Sequence, residues 1–369
     1  MKNDRRYDID WIRVIAFDIL IIFHVGMFFS PWDWHIKNNE IVDWLNYPMS
    51  FTSYWRIPIL FVVSGMGTKF ALSNKTGKSY INERVNRLFL PLVVGMLIVV
   101  PPQVYLERLT QGLNFNNYLE FYPYYFKGIY PDGNFSWHHL WFLPYLLLMS
   151  IVATPIFLRF RKNKGFLVKK LERLIKKQAT GLYLLVIPFI AIELLFENKT
   201  MSRALFGDWY ALVFYFAFFI SGYFLISIKS SFWFAVIQIR YLSFFIGLLS
   251  FLFLELIDIN SYMNSVIKTI NIWSWILVIF GFAANNLNVE SSLIKYRNKA
   301  VYPFYILHQT ITVISGYFLI DLNMHYSLKM LIMIICTYGG SWLLYEYIVL
   351  KTPIIQPFFG VKKTKNYRI

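Results

Sequence analysis

The sequence predicts an all-α, polytopic membrane protein of about ten transmembrane helices with both termini cytoplasmic. Three observations carry that prediction: an apolar composition, a succession of bilayer-length apolar stretches, and basic residues gathered in alternate loops. Of the 369 residues, 57% are hydrophobic and only 15% charged, which sets the chain apart from soluble globular proteins. The net charge of +16 would suit a nucleic-acid binder only if the basic residues shared one solvent face, so their placement decides.

Windows of roughly 20 apolar residues fall near 11–30, 50–72, 88–106, 138–158, 181–196, 209–228, 232–254, 266–287, 301–320 and 328–350. The first follows a basic N-terminus, lacks a small-residue cleavage site and runs straight into aromatics, so it reads as a retained span rather than a signal peptide. The fifth is the shortest and holds Pro188 and Glu193. The longest polar stretch, 107–136, is rich in Tyr, Phe and Asn and reads as a structured outer cap. Without an internal repeat or a low-complexity segment, residues 1–369 read as a single integral-membrane domain. The one cysteine, Cys336, lies in an apolar run and has no partner for an intramolecular disulfide.

Orientation follows from the loops. Lys2, Arg5 and Arg6 precede span one, and Lys75, Lys78, Arg84 and Arg87 precede span three. Lys351, Lys362, Lys363, Lys365 and Arg368 follow span ten. The 159–179 loop holds Arg159, Arg161, Lys162, Lys164, Lys169, Lys170, Arg173, Lys176 and Lys177 against the single acid Glu172. The intervening loops instead carry Asp33, Glu40, Asp43, Glu120, Asp132, Glu197, Asp208, Glu255, Asp258 and Asp321. An even number of spans with both ends inside satisfies the positive-inside rule at every loop, which absorbs most of the charge and excludes nucleic acid as a partner. The 159–179 loop reads as a surface for anionic membrane lipid.

Several spans carry ionisable residues that a bilayer disfavours. In "WIRVIAFDILIIFHVGMFF", Arg13 and His24 are eleven residues apart, about 1100° or three turns plus roughly 20°, so they share one face at two depths separated by about 16 Å. Arg13 also fits an interfacial arginine that snorkels, and His24 a buried histidine satisfied by a neighbouring helix, although an imidazole deep in an apolar span is by default a functional candidate. Asp18 lies on another face and reads as a structural hydrogen bond to a neighbouring helix.

Arg84 and Arg87 in "NERVNRLFLPL" are three apart, on one face at the cytoplasmic mouth of span three. They suit phosphate groups, or are ordinary flanking charge. "WHHLWFLPYLLL" places His138 and His139 at the outer start of span four beside Trp137 and Trp141, which also fit an aromatic belt. "YPFYILHQT" places His308 about two turns into span nine from the cytoplasmic side, at a different depth from His24. "YWRIPILFVVSG" puts Arg56 at the outer mouth of span two. His35 and His325 fall in outer loops and read as surface residues. With the histidines scattered and no Cys or carboxylate spacing to complete a ligand set, no metal site is expected.

Taken together, these segments resemble the membrane-bound acyltransferase family 3. The resemblance is carried by the basic-x10-His pattern of Arg13 and His24, the Arg-x-x-Arg of Arg84 and Arg87, "WRIPILFVVSG", "HLWFL" and "YPFYILHQ", in order over essentially the whole chain. "PWDWHIKNNE" at 31–40 is most similar to the branch associated with succinylation of periplasmic glucans. The resemblance implies an acyltransferase of the bacterial cytoplasmic membrane, with no bound cofactor. Acyl-CoA, as acetyl-CoA or succinyl-CoA, is its cytoplasmic co-substrate and a glycan hydroxyl outside is its acceptor.

By the same resemblance His24 is the catalytic histidine, as general base or transient acyl carrier. Arg13 belongs to its motif, Arg84 and Arg87 engage the donor, and "HLWFL" points to His139 of the histidine pair. A base needs an orienting partner, and no acid in span one offers itself; Glu193 and His139 are the candidates at similar depth. Arg56 would bind glycan or stabilise an oxyanion. Many relatives carry an outer esterase-like domain that this chain does not show, so a second step there would need another protein.

Two other classes compete. A transporter of a small anionic or acylated solute also places arginines at a pore mouth and histidines at midplane, but predicts a symmetry between halves that the sequence lacks. A scaffold protein would leave Arg13, His24, Arg84 and Arg87 replaceable. The His and Asn arrangement of the membrane-bound O-acyltransferases is not evident.

Overall fold

The computed structural model describes residues 5–162 and 165–361; Lys2, Lys164, Lys362, Lys363, Lys365 and Arg368 lie outside them. The described residues are helical and form no strand, with one isolated bridge between Ile129 and Phe135. In chain order the helices are α1 (Tyr7–Phe29), α2 (Asn46–Leu72), α3 (Gly77–Thr110), α4 (Tyr118–Tyr124), α5 (Phe142–Lys162) and α6 (Phe166–Lys177). They continue with α7 (Ile187–Leu195), α8 (Trp209–Ser227), α9 (Ser230–Leu256), α10 (Ser261–Asn286), α11 (Ser292–Leu319) and α12 (Tyr326–Leu343).

Among the described residues, seven helices are long and apolar enough to cross a membrane: α1, α3, α5 with its leading turn, α8, α9, α10 and α12 with its trailing turn. The other three predicted spans fall on helices too. α2 and α11 have 27 and 28 residues, but their polar side chains, such as Arg56 in α2 and His308, Gln309 and Thr310 in α11, dilute their apolarity. The fifth predicted span is the shorter apolar helical stretch Ala179–Leu195.

The chain divides into two compact units, one made of residues up to Ala16, Phe51–Asn82 and Tyr145–Asn298, the other of Phe17–Ser50, Glu83–Pro144 and the chain from Lys299. In the first unit, α2 and α8 meet at two glycines. A Cβ on Gly65 would stand 1.9 Å from the Phe219 carbonyl oxygen, and one on Gly222 would stand 1.9 Å from that of Val62. Small residues that let backbones touch are how helices associate where lipid removes the hydrophobic drive. Gly65→Ala should therefore destabilise the protein by about 1–3 kcal/mol, because backbone cannot yield as a side chain can; thermal unfolding in detergent measures it.

The same unit buries Glu193, which accepts from Tyr210 Oη at 2.6 Å and pairs with Lys268 Nζ at 3.0 Å and Lys199 Nζ at 3.6 Å. Burying a carboxylate is costly unless such partners meet it. Helix α6 buries Val168 and Ile175 and exposes Lys169, Lys170, Arg173, Lys176 and Lys177, an amphipathic distribution that suits a membrane surface.

The second unit packs Phe23, Phe28 and Phe29 of α1 with Ile36, Val42, Leu106, Val313 and Met333 into one apolar core. The loop after α1 is tied over that core by two lysines. Lys37 Nζ donates to the carbonyls of Met27 at 2.7 Å and Trp32 at 2.9 Å, and also to that of Ser30. Partial burial pushes its ammonium down to about 8. Lys329 Nζ donates to Asn38 Oδ1 and the Ile320 carbonyl, both at 3.0 Å. In the stretch predicted as a cap, α3 extends to Thr110 and α4 follows, its N-terminus capped by the Asn117 side chain, which accepts from Glu120 N at 3.0 Å. Tyr105, Phe115, Tyr118 and Phe121 then pack with ring centroids 5.2–6.3 Å apart.

Candidate active site

The second unit brings three histidines together. His24 is 17 residues from the start of α1 and His308 is 16 from the start of α11, so the two rise nearly equal distances along their helices, about 24–26 Å. His24 Nδ1 lies 3.0 Å from His308 Nε2. This corrects the expectation that the two sit at different depths. Helix α11 begins at Ser292, nine residues before the apolar window opens at 301, so His308 is in mid-helix rather than two turns in.

The bonding assigns the protons. His308 Nδ1 faces the Tyr305 carbonyl at 2.7 Å and that of Phe304 at 3.2 Å. Carbonyls only accept, so Nδ1 carries the hydrogen and Nε2 the lone pair of the neutral ring. His24 Nδ1 must then donate to it, which leaves the His24 lone pair on Nε2. The chain runs from a backbone carbonyl through His308 to His24, the logic by which an imidazole is held in one tautomer. His308 thus meets His24 Nδ1, in the place for which the sequence offers Glu193 and His139 as candidates.

His139 lies beside this pair, its ring 5.1 Å from that of His308 and nearly perpendicular to it. Its Nε2 donates to the Ile306 carbonyl at 2.9 Å, and the His139 backbone carbonyl accepts from Tyr305 Oη at 2.6 Å. His139 Nδ1 is buried with no hydrogen-bond partner among the described residues. The Trp34 ring stacks over His24 with centroids 6.5 Å apart, linking the site to the loop that follows α1.

That loop holds a feature the sequence reading missed. His35, expected at the surface, pairs through Nδ1 with Glu107 Oε2 at 2.8 Å. Tyr130 Oη donates to Glu107 Oε1 at 2.9 Å. Burial and the neighbouring carboxylate both raise the Tyr130 phenol, keeping it a donor. The His138 ring lies 4.4 Å from that of His35. Its backbone stands at φ +40°, in the left-handed region that costs a non-glycine residue about 1–3 kcal/mol and clusters at functional sites. The histidines are therefore not scattered: the fold gathers positions 35, 107 and 138, which no short-range spacing relates. The sequence signals near them are "PWDWHIKNNE", which holds His35, and "WHHLWFLPYLLL", which holds His138.

The other candidate residues have neighbours of their own. Arg13 Nη1 donates to Asn298 Oδ1 at 2.8 Å and lies 3.4 Å from Asp10 Oδ1, in the first unit. Arg56 is buried in the same unit, close enough to Arg203 and Tyr215 to interact with both. Glu193 is held by the lysines and tyrosine described above. In the second unit Arg87 is half exposed, with its guanidinium 3.9 Å from Glu83 and its carbonyl accepting from Tyr302 Oη at 2.8 Å; Arg84 lies one turn earlier, at the end of the first turns of α3. Asp18 meets a neighbouring helix as expected, with Tyr338 Oη 3.1 Å from its carbonyl and 3.4 Å from Oδ1.

Fold and site define an integral membrane protein with ionisable side chains gathered in its interior, the mark of a membrane-embedded functional site. The chain belongs to the acyltransferase family 3: its acyltransferase domain matches residues 6–346, and the protein is an acyltransferase. Among curated proteins it is similar to the glucans biosynthesis protein C of Escherichia coli strain K12, 24% identical over 388 residues that cover 97% of this chain and 95% of the relative. It is likewise 24% identical to the protein of that name from Escherichia coli O157:H7, over 384 residues with the same coverage. No solved structure matches the chain.

Proposed function

We propose that the protein moves an acyl group, acetyl or succinyl, from acyl-CoA at the cytoplasmic side of a bacterial inner membrane to a hydroxyl of an extracytoplasmic glycan. In this reading the chain crosses the bilayer ten times with both termini cytoplasmic, and needs no bound cofactor. The observation that carries it is the hydrogen bond between His24 and His308, which leaves a lone pair on His24 Nε2. The name of these relatives, with its glucan, supports the glycan acceptor.

The chemistry balances on one nitrogen. His24 Nε2 takes the proton of the acceptor hydroxyl as its oxygen attacks the thioester carbonyl; the C–O bond forms, the tetrahedral adduct collapses, and the C–S bond breaks. The CoA thiolate leaves and takes up the proton from the His24 imidazolium. Throughout, His24 Nδ1–H stays bonded to His308, so the imidazolium keeps its partner.

Arg84 and Arg87 hold the donor's phosphates by charge-assisted bonds worth about 1.5–3 kcal/mol when made in full. Their exposure reduces that, so Arg87→Ala should raise KM for acyl-CoA about tenfold with kcat little changed. Steady-state kinetics with varied donor measures it. The reading as a whole is tested by transfer in liposomes, with labelled acetyl-CoA or succinyl-CoA on one face and glycan on the other. Label moving to glycan supports it and names the donor. Intact donor crossing without transfer would replace it with the transporter, and label stable on the protein without acceptor would make His24 an acyl carrier.

A further inference from the structure

We propose that His35, Glu107 and His138 bind a divalent transition-metal ion, zinc by the nature of the donors, at a site distinct from the His24 and His308 pair. One donor atom from each of the three lies within 4.8 Å of the others. A tetrahedral zinc with ligands at about 2.0–2.2 Å spaces its donors roughly 3.4 Å apart, so small side-chain rotations close the set.

Three further features favour a metal over a plain ion pair. The His35 and Glu107 bond satisfies two of the three groups and leaves His138 Nε2 buried with no hydrogen-bond partner among the described residues; a cation satisfies all three. Glu107 Oε1 is held by Tyr130 Oη at 2.9 Å, the kind of outer partner that orients a ligating carboxylate. The strained backbone of His138 is braced where it bends, its N–H donating to Ser136 Oγ at 2.9 Å.

The donor set also selects the ion. Two imidazoles and one carboxylate suit zinc, whereas calcium and magnesium prefer all-oxygen shells. Three protein ligands leave a fourth position open, as in zinc sites that bind water or a substrate oxygen. The proposal stands on these residues alone and does not depend on the acyl-transfer reading.

The test uses the full-length chain in detergent, with any affinity tag removed and the protein stripped by chelator. Zinc titration should show one tight site per chain, weakened at least 100-fold in His138→Ala and Glu107→Gln. The site should be weakened about tenfold in Tyr130→Phe and unchanged in His325→Ala, a control in an exposed outer loop. Cobalt should produce the visible d–d absorption of a low-coordinate, nitrogen-ligated ion, saturating at one equivalent. That spectrum of the wild-type chain supports the proposal even where a variant fails to fold. Zinc affinity equal in wild type and a folded His138→Ala, or cobalt absorption that does not saturate at one equivalent, would overturn it.

Discussion

Acyl transfer should fall by about 10²–10⁴-fold in His24→Ala, the range that a positioned general base contributes. The loss should appear in kcat, because the alanine removes the lone pair that accepts the hydroxyl proton and leaves the residues proposed to hold the donor in place. His24 is half-buried and its ring meets Trp34 and His308, so a folded variant is expected, and a symmetric size-exclusion peak together with helical circular dichroism establishes it. Transfer undiminished in that folded variant would make the histidine structural and remove the basis of the proposed mechanism.

The second large effect is expected at His308, which acts through His24. His308→Ala deprives His24 Nδ1–H of its acceptor, frees the ring to adopt either tautomer, and should lower kcat by about 10–100-fold, as loss of an orienting partner does elsewhere. A merely structural role predicts that His308→Gln and His308→Ala fail alike. An orienting role predicts that glutamine, whose side-chain oxygen accepts the same hydrogen bond, restores most of the rate with KM for donor unchanged.

How much of this was legible before the fold is clearest residue by residue. Helix α1 and the exceptional position of His24 in it could be read directly, because a charged or polar group in an apolar run stands out whatever surrounds it. The depth of His308 could not. An apolar window finds where lipid-compatible residues begin, and the segment from Ser292 to Ala300 is polar although helical, so the window opened nine residues late. Glu193 was legible as a buried acid, but its engagement by Lys199, Lys268 and Tyr210 depends on how α7, α8, α10 and the chain after α7 pack. His35 lies in "PWDWHIKNNE", but nothing there shows that it meets Glu107, since loop residues have no periodicity to betray which way they face.

The sequence by itself determined the class: an all-helical membrane protein with a histidine in its first span and basic residues in alternate segments. It could do so because lipid forces the backbone to satisfy its own hydrogen bonds within each apolar segment, independently of how the segments pack. Only the tertiary structure decided which imidazole met which. His24 and His308 are 284 residues apart, and His35 and Glu107 are 72 apart. Such pairs are set by the register and packing of whole helices, where a shift of one residue turns a side chain by about 100° and breaks the contact.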